Sequence, residues 1–349
     1  MNLKIAILFG SSSNEHEVSV ISAASIIKNL DKKKYDITPI YLDKENNFYL
    51  WQENINNIKP LEIGILPTNL EKIYNPFEFL KQFELMFLMI HGKNGEDGII
   101  SSILDFLNIP YVGNNTASSV ITMDKIYTKD ILETNGIKTS PYISFTKYND
   151  EYIFKGRSLS YIELINIINN KLSYPIFIKP ANSGSSIGIT KVNNKKDLDS
   201  AINIALKVDN RILIEEMIEG KEVECAILEK DGEIIPSLVG EIASAEDFYS
   251  FTAKYTNKDS LTLIPANIDV KTMNKIRKLA VKIFKILNLH IYSRIDFFVS
   301  KDNKIILNEI NTIPGFTEIS MYPKLFEATG ILYSELLDAL IKEAKRNGN

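Results

Sequence analysis

The chain has 349 residues, 45% hydrophobic and 24% charged, long enough for two or three domains with large buried cores. A formal net charge of −4 excludes a sequence-independent nucleic-acid binder, which needs a basic surface, so no nucleic-acid partner is expected. One cysteine, Cys225, excludes an internal disulfide, and the widely spaced His16, His91 and His290 exclude a zinc motif.

Strand-like and helix-like segments alternate from the start, which predicts α/β architecture. A strand is predicted over 4–9, too short for a signal-peptide core, then a helix over 17–30 and strands over 37–41 and 85–90. The last of these is the longest apolar run and too short to span a bilayer, so a cytoplasmic protein with no membrane partner is expected. A helix follows over 99–107, while the weak periodicity between 43 and 82 predicts a small hairpin plus loops. A second unit begins near Thr116, with a helix over 124–134 closed by Asn135-Gly136 and strands over 176–179, 187–191 and 211–215. Its stretch 147–174 holds a helix-like 161–168 but no chemical motif. The third unit opens with a hairpin of 222–228 and 233–239 around Lys230-Asp-Gly232, and amphipathic helices are predicted over 272–287 and 333–344. The expected domains are 1–115, 116–215 and 216–349.

The most informative local feature is a hairpin of 291–299 and 305–310. With Asp302 and Asn303 in the turn, Val299 pairs with Ile306, Phe297 with Asn308, and Asp296 with Glu309. Directly opposed side chains stand only about 5 Å apart, and like charges placed so are destabilising. Period-2 alternation puts Arg294, Asp296, Glu309 and Asn311 on one face and Ile295, Phe297, Val299, Ile306 and Ile310 on the other. Two carboxylates and an amide oxygen backed by an apolar layer are hard ligands suited to Mg²⁺. The alternative is a solvated hairpin whose carboxylates pair with Arg294.

Neither a Walker P-loop nor a Gly-x-Gly-x-x-Gly turn after the first strand is present. Instead Ile178-Lys-Pro-Ala-Asn-Ser-Gly-Ser-Ser-Ile-Gly188 joins two strands. Gly184, Ser185 and Ser186 can wrap a phosphate as a nest of backbone N–H groups, with Lys179 in reach of the same anion; an ordinary polar turn accounts for the same residues. The loop after the first strand holds Glu15 and Glu17 at the carboxyl edge of the sheet, where open α/β sheets bind ligands. Helix-dipole complementation explains Glu17, while Glu15 is free to meet a ligand ammonium. His91-Gly-Lys-Asn-Gly-Glu-Asp-Gly98 follows another strand; its glycines fit either a close backbone approach or positive φ.

Seven motifs appear in one order: Ser13-Asn-Glu-His-Glu-Val-Ser19, the 91–98 loop, Met123-Asp-Lys125, Ile178-Lys-Pro180 with Gly184-Ser-Ser-Ile-Gly188, Ala253-Lys-Tyr255, Arg294-Ile-Asp296 and Asn308-Glu-Ile-Asn-Thr-Ile-Pro-Gly315. Together they resemble the D-alanine–D-alanine ligases of the ATP-grasp superfamily, from Lys4 to about Pro323. The resemblance implies α/β and α+β architecture: an N-terminal parallel-sheet domain and two α+β lobes clasping ATP. It implies that Asp296, Glu309 and Asn311 bind two Mg²⁺ ions, with Mn²⁺ able to substitute. Lys125 and Lys179 would contact the phosphates beneath Gly184, Ser185 and Ser186. Glu215, Glu216, Met217 and Ile218 would line the adenine, Glu222 would take the ribose, and Asn308 would complete the nucleotide site. Lys254 would reach the γ-phosphate from a lid over 244–261, where Phe248 and Tyr249 also lie.

For the substrates, the same resemblance implies that Glu15 holds the first D-alanine's ammonium, in a network with Ser185 and Tyr255. Ser320 and the Met321 backbone would bind the second D-alanine's carboxylate, with His91 nearby. The first carboxylate would attack the γ-phosphate, and the second amine the resulting acylphosphate, with Arg294 and the Gly315 N–H stabilising the oxyanion. The lid here lacks the acidic residues between its aromatics that many relatives carry. A ligase joining D-alanine to D-lactate or D-serine is the nearest alternative, against which Tyr255 argues by resemblance. A non-catalytic nucleotide-binding module is the remote one. A homodimer is expected from the resemblance alone.

Overall fold

The structure is a computed structural model that describes residues 2–58, 61–243 and 261–347. Near-continuous apolar runs need cover on both faces, and the first sheet is built from them. Leu3–Gly10 (β1) leads into the helix His16–Asn29 (α1) and returns through Tyr35–Leu42 (β2). Phe48–Trp51 (β3) and Leu70–Lys72 (β4) form the small hairpin expected from the weak periodicity. The short helix Pro76–Leu80 (α2), the strand Leu85–Met89 (β5), the helix Ile99–Leu107 (α3) and Tyr111–Val112 (β6) complete the unit. The order is β4-β3-β2-β1-β5-β6, with β2, β1, β5 and β6 parallel. The loops after β1 and β5 therefore emerge side by side at one carboxyl edge.

The helices Thr116–Met123 (α4) and Lys125–Thr134 (α5) meet at Asp124, whose carboxylate caps α5 by accepting from the Ile126 and Tyr127 N–H groups, each at 3.0 Å. Tyr142–Tyr148 (β7), Glu151–Phe154 (β8), Arg157–Leu159 (β9), Ile176–Pro180 (β10), Thr190–Val192 (β11) and Arg211–Glu216 (β12) form an antiparallel sheet in the order β11-β10-β12-β7-β8-β9. Tyr161–Lys171 (α6) and Leu198–Leu206 (α7) bury their apolar faces in its core. The strand expected over 187–191 begins only at Thr190, because Ser185, Ser186 and Gly188 take positive φ of 52°, 61° and 71° and prolong the turn.

Gly220–Lys230 (β13), Glu233–Ala243 (β14), Leu261–Leu263 (β15), Tyr292–Ser300 (β16) and Ile305–Asn311 (β17) make a third, antiparallel sheet in the order β15-β14-β13-β16-β17. Val270–Ile286 (α8) lays Ile276, Ala280 and Ile283 against Val223, Ile295 and Phe297. Met321–Thr329 (α9) has no counterpart among the expected elements. Pro323 makes its sequence look broken, yet a proline is tolerated in a helix's first turn. The last helix, Tyr333–Asn347 (α10), returns Leu336, Leu337 and Leu340 to the core of the first sheet, beside Ile7 and Phe87. The lid expected over 244–261, with Phe248, Tyr249, Lys254 and Tyr255, lies outside the described residues except for its last position.

Candidate active site

A cleft of about 620 Å³ opens between the second and third sheets. Its lining includes every residue expected to meet the nucleotide within the described chain: Lys125, Lys179, Gly184, Ser185, Ser186, Glu215, Glu216, Met217, Ile218, Glu222, Asn308 and Glu309. The Ser185 hydroxyl is buried and has no hydrogen-bond partner among the described residues, as a group awaiting a ligand would be. The Met217 N–H donates to Pro175 O at 2.9 Å and the Glu216 carboxylate accepts from the Ser173 N–H at 2.7 Å, so this strand end is held firmly.

The second-sheet wall is rich in cations. Lys125, at the start of α5, donates to Ser183 O, and burial lowers its pKa. Lys179 ion-pairs with Glu215. The other Glu215 oxygen accepts from Lys129 at 2.7 Å and from the Ser140 hydroxyl at 2.6 Å. Burial works against the Glu215 charge, but Lys129 and then Lys179 outweigh it and hold the carboxyl well below its usual range. Lys129 went unassigned in the sequence, although it stands one helical turn after Lys125 and so shares its face.

The third-sheet wall carries the opposite charge. Asp296 pairs with Glu309 and Arg294 with Asn311, as the alternation predicts. Beyond Asp296 the register shifts: Phe297 faces Leu307 and Val299 faces Ile305, so the expected Phe297–Asn308 and Val299–Ile306 pairs do not form. Asn308 is the extra residue of a β-bulge, which lets Leu307 fill the core place opposite Phe297 and turns Ile306 to the face of Phe298. The freed Asn308 amide donates to Glu222 at 3.3 Å. On the far side of β16, Glu224 of β13 pairs with Asp296, so Glu224, Asp296 and Glu309 form one rung of three carboxylates. Glu224 escaped notice in the sequence because β13 lies some 70 residues before β16.

Arg294 faces this rung as a cation, not only as a free donor. Its Nε and a terminal nitrogen fork onto the two Asp296 oxygens at 2.8 and 2.7 Å, and Nε stands 3.1 Å from Glu224. Arg294 is thus a salt-bridge partner of these carboxylates, on the same face where the resemblance expects an oxyanion donor. The Asn311 amide also donates to Asp296 at 2.9 Å, so three of about four acceptor positions on that carboxylate are taken. Among the described residues, no three His, Cys, Asp or Glu side chains converge as a ready-made metal cage. The donor set of Asp296, Glu309 and the Asn311 oxygen nonetheless suits Mg²⁺, which completes its shell with phosphate and water oxygens.

Beyond the Glu309 end of the cleft lies the edge of the first sheet. A Cβ added to Gly184 would come 3.5 Å from the Glu15 carboxylate, and one on Gly92 only 2.8 Å, so Glu15 faces the phosphate loop across a glycine gap. His91 does not line the cleft. Burial lowers its pKa; Nδ1 must donate to Ile313 O, at 2.8 Å, and Nε2 accepts from the Ser22 hydroxyl, at 3.2 Å. Ser22 in turn accepts from the Phe316 N–H at 3.3 Å. Glu96, also unassigned in the sequence, accepts from the N–H groups of Gly92 and Ile313 at 2.9 and 3.1 Å. Ser22 of α1 and His91 and Glu96 of the loop after β5 thus grip residues 313–316 and fix Gly315 between them. Burial, and then the Glu15 charge, push the Glu96 carboxyl up to about 7. Ser320 sits against Gly315: its hydroxyl accepts from the Thr317 N–H at 2.9 Å and lies 2.7 Å from where a Gly315 Cβ would be. Met321 follows as the first, buried residue of α9.

With a cationic wall, an acidic rung and Glu15 in one cleft, the comparisons with known proteins fall into place. Family models described as D-ala D-ala ligase N-terminus and C-terminus match residues 4–114 and 131–342. The chain belongs to the D-alanine–D-alanine ligase family. A D-alanine–D-alanine ligase of Clostridium novyi is 42% identical over 354 residues, covering 100% of both chains. D-alanine–D-alanine ligase B of Clostridium tetani is 44% identical, over 99% of this chain and 94% of that protein. Among solved structures, the VanG D-Ala:D-Ser ligase from Enterococcus faecalis superposes with a TM-score of 0.83 at 36% identity, over 99% of this chain and 100% of that one. The Bacillus anthracis D-alanine–D-alanine ligase complexed with ATP gives 0.75 at 30% identity, over 99% and 98%. The family is one of ATP-dependent ligases, and the fold is ATP-grasp.

Proposed function

We propose that this protein joins two molecules of D-alanine with conversion of ATP to ADP and phosphate, through a D-alanyl phosphate, to supply a peptidoglycan precursor. The observation that carries the reading is the opposition of Lys125 and Lys179 to the Asp296–Glu309 rung across one cleft, with Glu15 at its end. Residues 1–115 contribute substrate contacts, 116–215 the phosphate wall, and 216–349 the acidic rung and lid.

Glu15 holds the ammonium of the first D-alanine and turns its carboxylate toward the γ-phosphate. Lys125, Lys179 and the N–H groups around Gly184, Ser185 and Ser186 offset the phosphate charge; such catalysis is mostly positioning and electrostatics. Glu215, Glu216, Met217 and Ile218 seat the adenine, and Glu222 the ribose. Asp296, Glu309 and Asn311 would hold two Mg²⁺ ions, or Mn²⁺, which would supply further neutralisation of the phosphoryl oxygens. Ser320 and the Met321 N–H orient the second D-alanine, whose deprotonated amine attacks the acyl carbon and expels phosphate. Arg294 and the Gly315 N–H would face the oxyanion. Lys254 and Tyr255 complete the site from the lid, which excludes water. The protein acts in the cytoplasm as a homodimer.

The test is product analysis by mass spectrometry with D-alanine, D-serine and D-lactate in competition at about pH 6 to 9, a span that brackets α-amino titration. D-alanyl-D-alanine dominating, and falling at the acid end, is expected. The likeness to the VanG enzyme makes D-alanyl-D-serine the second reading, and its dominance would displace the first; absence of any ADP formation would sink both.

A further inference from the structure

Glu215 carries an unusual load for a buried carboxylate, since two lysines share it. Lys179 and Lys129 both reach it from positions that are almost wholly enclosed. The division of oxygens is definite. Oε1 meets Lys179, which also faces the cleft; Oε2 meets Lys129 and the Ser140 hydroxyl. Lys129 also donates to Ser140 Oγ at 3.0 Å and lies over the Tyr142 ring, 5.2 Å from its centre. Ser140, Tyr142 and the α5 backbone thus fix Lys129 in place, whereas Lys179 has the open cleft before it.

A phosphate arriving at Lys179 meets a competitor, because Lys179 already has an anionic partner. If Glu215 had no other cation, moving Lys179 to the phosphate would strand a buried carboxylate, which is costly. If Lys179 stayed, the pair would be neutral and offer the nucleotide no net charge. Two lysines on one carboxylate remove both difficulties, since Lys129 keeps Glu215 compensated while Lys179 changes partner.

Resting on the ATP-dependent reading above, we infer that Lys129 is a positioning residue for nucleotide binding, a fixed counter-ion to Glu215 that releases Lys179 to the phosphates. Lys129 itself touches neither ATP nor D-alanine. The downward shift of the Glu215 pKa, to which Lys129 contributes more than Lys179, is consistent with that role.

The test is ATP affinity of the whole protein, measured by calorimetry with magnesium and without D-alanine, so that turnover is not needed. Lys129→Met is expected to weaken ATP binding by about 10-fold or more, whereas Lys129→Arg, which keeps the charge, stays within about three-fold. In steady state the KM for ATP rises while that for D-alanine stays within about two-fold, a split that general loss of structure does not give. Glu215→Gln removes the charge that Lys129 compensates, so Glu215→Gln and the Lys129→Met/Glu215→Gln double variant are expected to bind ATP equally, within about two-fold. That comparison stands even if Lys129→Met alone fails to fold. Unchanged ATP affinity in Lys129→Met, or an equal further loss on adding it to Glu215→Gln, overturns the inference. A wild-type protein that binds no ATP overturns the proposed function instead.

Discussion

On one wall of the cleft a single carboxylate, Glu215, is shared by two lysines; on the other, two carboxylates of a three-carboxylate rung, Asp296 and Glu224, share Arg294. The lysine wall has positive charge in excess and is stable as it stands, because Lys125, Lys129, Lys179 and Glu215 each have a partner. The acidic rung has negative charge in excess, so Arg294 is drawn into a fork on Asp296 to relieve it. The difference teaches which wall is complete. The cationic wall has its charges paired as it stands, while the acidic wall sets like charges directly opposite one another. In the proposed function, a nucleotide bringing both phosphates and divalent metal would answer both walls together.

The severest way to break this contrast is to remove Arg294, the cation forked onto the acidic rung. Arg294→Met leaves Glu224 and Asp296 directly opposed and buried, and stability is expected to fall by about 3–5 kcal/mol, read as a lower urea midpoint. An unchanged midpoint would mean that the rung is not strained. Glu309→Gln acts the other way. Turnover is expected to drop by about 100-fold or more, with stability unchanged or raised by up to about 1 kcal/mol as one like charge leaves the rung. A near-normal rate in that variant removes the metal assignment.

Glu15 sharpens the comparison at the end where the walls meet. Glu15→Gln is expected to raise the KM for the first D-alanine about 10-fold or more and to change kcat little, as loss of uniform binding does. If KM does not move, Glu15 lies outside the substrate site. The smallest effect concerns Glu96, whose carboxyl titrates near 7 against an ordinary 4.5 because it is buried beside Glu15. A raised folded pKa means that its stabilising contribution is full below about 4.5 and lost as pH rises through about 7. Wild-type Tm should therefore fall relative to Glu96→Gln between pH 5 and 8, by about 2 °C or more. Parallel Tm curves would show that Glu96 does not titrate there.

Local patterning made much of this legible. The alternation through 294–296 and 309–311 with a short turn between them settles the Asp296–Glu309 opposition, and the apolar runs of β1, β2 and β5 mark a parallel sheet. Non-local choices were not legible. The bulge at Asn308 follows from Leu307 outcompeting Ile306 for the space opposite Phe297, a packing decision invisible to period-2 counting. Glu224 joins the rung only because β13 lies beside β16. Lys129 reads in sequence as one more charge on a polar helix, until β12 brings Glu215 to it. Glu96 stands in a glycine-rich loop, and only the return of residues 313–316 gives its carboxylate, beside the local Gly92 N–H, its second N–H partner at Ile313.

The central claim is that the first D-alanine's own carboxylate attacks the γ-phosphate in this cleft. Turnover with D-alanine labelled with ¹⁸O in its carboxylate tests it most directly, by mass spectrometry of the inorganic phosphate released. The expected result is phosphate carrying one labelled oxygen for each dipeptide formed. Phosphate free of label alongside D-alanyl-D-alanine would contradict the account.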